Sequence, residues 1–310
     1  MPLDPHARRL LDMLALAGPA DPARMPIEER RESFRKLMAL SRGGAEIGSI
    51  EDRSIPGPGG AITVRLYRPG GEGDAPLPAV VFFHGGGLVA GDLDTHDALC
   101  RVLCRGSGAI VAAVDYRLAP EHPFPAAIAD SIAATAWIAE NAGALGIDPE
   151  RIAVAGDSGG GTLATIVCQS VRGEKGPRIA MQLLLCPVLD LGAETVSRQE
   201  FASGYLLDRA MMARDLAHYG PVDPLDPRVS PLRAADLAGM PRTLIHSAEF
   251  DPLRDEDAAY AERLRAAGVA VSHTCHAGMP HHFYGLTGII PAARQSLDAI
   301  CREARAELSR

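Results

Sequence analysis

Apolar positions along the chain fall into two kinds of pattern, short unbroken runs and longer stretches with helical spacing. The two alternate from about Val64 to Leu308. The runs at Pro78–Phe83, Arg151–Ala155, Ile179–Cys186, Pro241–Ala248 and Val269–Cys275 predict strands, since near-continuous apolar sequence belongs to strands covered on both faces. Between them, Gly161–Val167, Ala98–Leu103 and a segment ending at Gly268 read as helices. Alternation of this kind predicts an α/β fold with a mostly parallel central sheet and helices on both sides. Two regions stand outside it. Arg8–Leu16 and Ile27–Leu40 carry helix-period apolar residues ahead of that alternation, and Leu189–Pro221 is a second helical insertion. They predict a cap over the strand tips, formed by about residues 1–45 and 189–221, with Tyr205 and Leu206 as candidates for an apolar pocket wall. Arg68–Pro76 reads as an exposed turn.

Composition adds limits. With 310 residues, 47% hydrophobic and 23% charged, the chain is ordinary for a globular protein, and the alternation argues for one domain spanning 1–310. A net charge of −8 without a basic run predicts no nucleic-acid or anionic-membrane partner. No uncharged apolar stretch of about 18 residues predicts a membrane span. Met1–Gly18 lacks the pattern of a secretion signal. The six cysteines, Cys100, Cys104, Cys168, Cys186, Cys275 and Cys301, are scattered through apolar elements and read as reduced core residues, so a cytoplasmic location is expected.

Candidate chemistry begins at Gly156-Asp157-Ser158-Gly159-Gly160, between a predicted strand and a predicted helix. A serine flanked by glycines two residues either side, in that context, reads as a nucleophile elbow. A phosphate-cradling loop is the rival, but the Lys-Ser/Thr pair of a Walker loop is missing. His84-Gly85-Gly86-Gly87 gathers backbone amides at another strand tip, as stabilisation of an acyl-transfer oxyanion requires. The residue after the serine, Gly159, offers a further N–H. A serine hydroxyl needs a base and an orienting carboxylate, which in such hydrolases follow in the order acid, then histidine. Asp251, held before a proline, suits the acid; Glu249, Asp255, Glu256 and Asp257 compete, the last three also fitting the acidic first turn of a helix. His281 and His282 both suit the base, and position alone does not separate them. His273 and His276 fall on or near a strand without metal-ligand spacing, so no metal site is expected. Asp94 or Thr95 is expected to cap the helix that follows, and Asp157 to hydrogen-bond the surrounding loops.

Five motifs in order carry a resemblance: His84–Gly87, Asp115-Tyr116-Arg117-Leu118-Ala119-Pro120-Glu121-His122, Gly156–Gly160, Asp251–Asp255 and His281–Phe283. Together they closely resemble the hormone-sensitive lipase family, the microbial family IV carboxylesterases with the α/β-hydrolase fold, over nearly the whole chain. The resemblance implies Ser158 as nucleophile, Asp251 as orienting acid and His281 as base. It implies oxyanion donors at Gly86, Gly87 and Gly159, and hydrolysis of short- to medium-chain acyl esters through an acyl-enzyme, without metal or organic cofactor. The small-molecule ester is then the partner, and a homodimer contacting near Val269–Cys275 is implied as well. His282 occupies the family's glycine slot, so a one-residue shift of the loop would make it the base. Leu88 stands where the family usually has an aromatic residue, which reshapes the pocket wall. Amide, formamide or acetylated-drug hydrolysis by the same groups is the alternative activity. A ligand-binding protein, as in the plant gibberellin receptors that resemble this family, is disfavoured because the histidine they lose is present.

Overall fold

The computed structural model describes residues 1–16, 24–40, 44–71, 75–173, 176–220 and 223–310. In chain order the main elements are α1 (Pro5–Leu16), α2 (Ile27–Met38), β1 (Ser49–Gly57), β2 (Gly60–Arg68), β3 (Leu77–Phe83), α3 (Asp97–Ser107), β4 (Ile110–Asp115), α4 (Ala126–Glu140) and β5 (Ile147–Asp157). There follow α5 (Gly159–Val171), β6 (Met181–Leu185), α6 (Val196–Glu200), α7 (Arg209–Tyr219), β7 (Arg242–Phe250), α8 (Arg254–Ala266), β8 (Val271–Pro280) and α9 (Pro291–Leu308).

The strands form one sheet in the order β1-β2-β4-β3-β5-β6-β7-β8. β2 runs antiparallel to both its neighbours, and every pairing from β4 to β8 is parallel. Successive side chains of a strand point to opposite faces, and the two cores divide accordingly. Val81, Phe83, Val154 and Leu184 pack on the face covered by α4, α5 and α8. Val80, Phe82, Ala153 and Leu183 pack on the face covered by α1, α3 and α9. This is the expected α/β-hydrolase arrangement, one mostly parallel sheet with helices on both sides. β3 pairs with β4 on one side and β5 on the other, so the strand order reverses there, and a crevice opens beyond the carboxyl ends of β3 and β5.

Several boundaries differ from the sequence pattern. β1 and the first residues of β2 precede Val64, where the alternation becomes legible; β1 is almost wholly exposed, so its sequence, Ser-Ile-Glu-Asp-Arg-Ser-Ile-Pro-Gly, carries no apolar run. The predicted strand Val269–Cys275 begins at Val271 and continues to Pro280, which brings His281 directly off its tip. Among the described residues of the insertion 189–221 only α6 and α7 are helical; Gly204-Tyr205-Leu206-Leu207 forms bends, with Leu206 in the left-handed region at φ 72°. Part of the predicted turn at Arg68–Pro76, residues 72–74, and Pro221 lie outside the described residues, as do 17–23 and 41–43 of the predicted cap. No helix among the described residues is long and apolar enough to cross a membrane.

Candidate active site

β5 ends at Asp157 and α5 begins at Gly159, so Ser158 makes the whole turn, at φ 51° and ψ −120°. A left-handed φ is costly for a residue with a Cβ, and the surrounding contacts enforce it. The Ser158 N–H donates to Leu185 O at 2.9 Å, and its carbonyl accepts from Gly161 and Thr162. The flanking glycines are required by space. A Cβ on Gly156 would lie 2.2 Å from Gly160 O, and one on Gly160 would lie 2.0 Å from Phe83 O. β5, α5 and the end of β3 therefore meet backbone to backbone, which thrusts the serine side chain beyond the strand tips.

The Ser158 Oγ lies 3.1 Å from His281 Nε2, and His281 Nδ1 lies 2.7 Å from Asp251 Oδ2. A carboxylate accepts, so Nδ1 carries the proton and Nε2 presents its lone pair to the serine hydroxyl. Asp251 is completely buried, and its other oxygen accepts from the Leu253 N–H at 2.9 Å. Cys186 Sγ joins this group: it falls within 4.8 Å of both the carboxylate and a ring nitrogen of His281. Burial, with the nearby charge of Asp251, pushes the Cys186 thiol well above its ordinary range, so it stays protonated. Glu249 is engaged elsewhere, with the terminal amine and the Gly278 N–H.

Across the crevice, Gly86 and Gly87 take left-handed φ values of 116° and 66° as the chain leaves β3. A Cβ on Gly86 would meet Ala90 O at 2.2 Å. Both line the same cavity as Ser158, Gly159 and His281. Gly159 is the first residue of α5, where N–H groups have no intrahelical acceptor. The Asp115–His122 block braces this floor. Tyr116 donates to His84 O at 2.6 Å and stacks on its ring at 4.3 Å, Arg117 clasps the buried Asp130, and Glu121 pairs with Arg31 of α2. Arg31 also donates to Val89 O and Ala119 O, tying α2 to the loop after the glycines.

The cavity has a volume of about 650 Å³ and is walled largely by apolar side chains of α1, α2 and α7, among them Leu11, Phe34, Leu37 and Met211, together with Leu88 and Leu206. One ion network interrupts this lining: Arg30 donates to Asp215 Oδ2 at 3.0 Å and Arg214 to Oδ1 at 2.7 Å. Asp215 sits so close to the glycine loop that a Cβ on Gly87 would fall 2.4 Å from its oxygen.

A family model described as the alpha/beta hydrolase fold matches residues 80–285. Over 269 residues the chain is 46% identical to the carboxylic ester hydrolase LipN of Mycobacterium tuberculosis, covering 84% of this chain and 71% of that one. It is 41% identical to an ethyl acetate hydrolase of Pseudomonas putida, covering 87% of each. Among solved structures, an ester hydrolase from the Lake Arreo metagenome, bound to a bipyridine phosphonate derivative, superposes with a TM-score of 0.95 at 38% identity, covering 99% of this chain and all of that one. The chain is a carboxylesterase of the hormone-sensitive lipase family. Its α/β-hydrolase fold carries ester hydrolysis as the family activity.

Some features of the esterase depart from the sequence expectations. Tyr205 does not line the cavity; its ring packs edge-on to Phe201 at 5.1 Å and stacks on Phe250 at 5.8 Å, an aromatic cluster that draws it away. Neither Asp94 nor Thr95 caps α3. The N-cap is His96 without a side-chain bond, because Thr95 is bonded to Asp92 and Asp94 is paired with Arg65. Asp255–Asp257 do open α8, but only Asp255 is left partly exposed. Buried Glu256 accepts from Leu189 N–H and Arg198, joining the insertion to the core, and Asp257 is wholly buried. Cys275 is exposed on β8, whereas the other five cysteines are buried. His273 bonds Ser247 and His276 bonds His246, away from Ser158. The polar cluster behind the elbow carried no sequence signal beyond the expected loop bonding of Asp157. Asp157 accepts from Gly85 N–H at 2.8 Å and from Tyr284 at 3.3 Å, and lies 3.3 Å from His96 and 3.5 Å from His282. Burial raises its pKa, but the imidazoles of His96, His282 and His84 outweigh that and hold it at about 2.

Proposed function

We propose that this esterase hydrolyses short- to medium-chain acyl esters by two-step acyl transfer, with Ser158 as nucleophile, His281 as general base and Asp251 as its orienting acid. The observation that carries the proposal is the continuous row from Ser158 Oγ through His281 to Asp251, at 3.1 and 2.7 Å, on the floor of an apolar cavity. Ser158 attacks the ester carbonyl while its proton passes to His281 Nε2. The N–H groups of Gly86, Gly87 and Gly159 receive the oxyanion, a class of donor worth about 2.7–4 kcal/mol each in other hydrolases. His281 then protonates the leaving alcohol, and water repeats the sequence on the acyl-enzyme. The segments 1–45 and 189–221 act as a cap, supported by the contribution of α1, α2 and α7 to the cavity wall. Leu88 and Leu206 contribute apolar surface to it. The short-chain reading draws on the cavity size and on the relative named for ethyl acetate hydrolysis.

The test is hydrolysis of p-nitrophenyl esters from acetate to palmitate by the wild type and by Ser158→Ala. A maximum at short or medium chains that vanishes in the variant is expected; activity that survives Ser158→Ala would show that the nucleophile is misassigned. We further infer a homodimer joined along β8, the sheet edge, where Thr274 and Cys275 are exposed. Light scattering is expected to give twice the chain mass, and a monomer mass at all concentrations would refute the dimer.

A further inference from the structure

The proposed reaction uses one histidine of the His281-His282 doublet. The second sits in the left-handed region at φ 60°, which few residues with a Cβ occupy, although histidine enters it more readily than most. Its ring lines the cavity and is only 7% exposed, with its centroid 4.4 Å from that of His281. Nδ1 lies 3.1 Å from the Tyr284 hydroxyl oxygen and 3.5 Å from Asp157 Oδ2. Tyr284 donates its own proton to Asp157, so its oxygen is left to accept, and the carboxylate beyond also calls for a donor. Both neighbours therefore place the imidazole proton on Nδ1. Nε2 is left with a lone pair and has no hydrogen-bond partner among the described residues, and the ring that carries it lines the cavity.

The result is two Asp–His pairs side by side, Asp251–His281 and Asp157–His282, with matching tautomers. Only the first reaches Ser158. The second ring is kept neutral by its surroundings. Phe34 packs near both it and Arg30, with its ring centroid 5.5 Å from that of His282 and 5.3 Å from the guanidinium. Burial first, then His281 and more weakly Arg30, hold its pKa well below the ordinary value. A neutral acceptor on a largely apolar wall rewards a substrate that brings a donor. Its position says which part of the substrate that is. In the proposed mechanism the leaving oxygen takes its proton from His281 Nε2, so the alcohol portion of the ester passes the adjoining ring.

We propose that His282 accepts a hydrogen bond from a free hydroxyl on the alcohol portion of the ester, so that the site favours monoesters of diols and polyols. This rests on the esterase reading with His281 as base. The test compares kcat/KM for 2-hydroxyethyl butyrate and 2-methoxyethyl butyrate, in which a methyl group replaces the donated proton. In the wild type the hydroxyethyl ester is expected to be favoured about tenfold, equivalent to about 1.4 kcal/mol. In His282→Gly and in His282→Asn, both tolerant of the left-handed backbone, the ratio is expected to fall to about one, each variant's methoxyethyl rate serving as its own reference. A wild-type ratio near one, or a tenfold ratio retained by both variants, overturns the proposal and leaves the esterase reading standing. A wild type that hydrolyses neither ester overturns both.

Discussion

Asp251 shows what a single position contributes. Its two oxygens are both engaged, one by His281 and one by the Leu253 N–H, and the side chain is completely buried. Replacing it with Asn keeps the shape and an acceptor for Leu253, yet turns a charge that fixes the Nδ1–H tautomer into a neutral amide. Asp251→Asn is expected to lower kcat by about three to four orders of magnitude, as in other triads, with the melting temperature little changed. A loss of less than tenfold would remove Asp251 from the proposed mechanism. Ser158, Asp251 and His281 were named from recognisable motifs whose chemistry tolerates few residue types, His281 being separated from His282 only by the family resemblance, and the fold brings the three side chains together. The grouping of Asp157, His96, His282 and Tyr284 was not, because its members come from separate segments and only the fold makes them neighbours. The same holds for Cys186, whose thiol meets Asp251 across the tips of β6 and β7.

At the level of elements, the elbow separates two adjacent glycines that look equivalent in sequence. Gly160 is packed against backbone, with its would-be Cβ 2.0 Å from Phe83 O, and neither strand can move aside. Gly159 opens α5 with ordinary helical backbone, and a Cβ there would only touch Leu88, at 3.4 Å. Gly160→Ala is therefore expected to unfold the elbow and to abolish both activity and a cooperative melt. Gly159→Ala is expected to retain activity and to raise stability by about 0.4–1 kcal/mol, through the less flexible unfolded chain. Thermal melts of the two variants check this, and equal destabilisation would contradict it. The helices and the buried strands were legible because their apolar periods reflect a two-sided core. β1 escaped because its side chains stand in water, and the bends around Tyr205 and Leu206 because an aromatic cluster, rather than helical spacing, organises them.

The whole molecule carries a pH dependence that no single element sets. Burial pushes His84 to about 4, His246 to about 3 and His276 to about 4, and holds His282 well below its ordinary value. In the unfolded chain these rings titrate near 6.5. Below that pH the unfolded state binds protons that the folded state refuses, so the stability they contribute is complete above pH 6.5 and is lost as pH falls toward 4. Two buried carboxyls act in the opposite sense. Burial lifts Glu256 to about 7 in spite of Arg198, and lifts Asp257 well above its ordinary value, with the charges of Asp251 and Glu256 adding to the rise. Each retains in the fold a proton that the unfolded chain releases, so their contribution is present at acid pH and fades as pH rises through this range. Between about pH 4.5 and 6.5 the four imidazoles favour unfolding with falling pH and the two carboxyls resist it. His273 is shifted in the same direction as the four, so the imidazoles outnumber the two carboxyls and unfolding takes up protons in this range. The midpoint of urea unfolding is accordingly expected to be lower at pH 5 than at pH 7, with proton uptake on unfolding measurable by titration of an unbuffered sample. A midpoint that is higher at pH 5 would mean that the buried carboxyls, rather than the histidines, dominate the acid response of the fold.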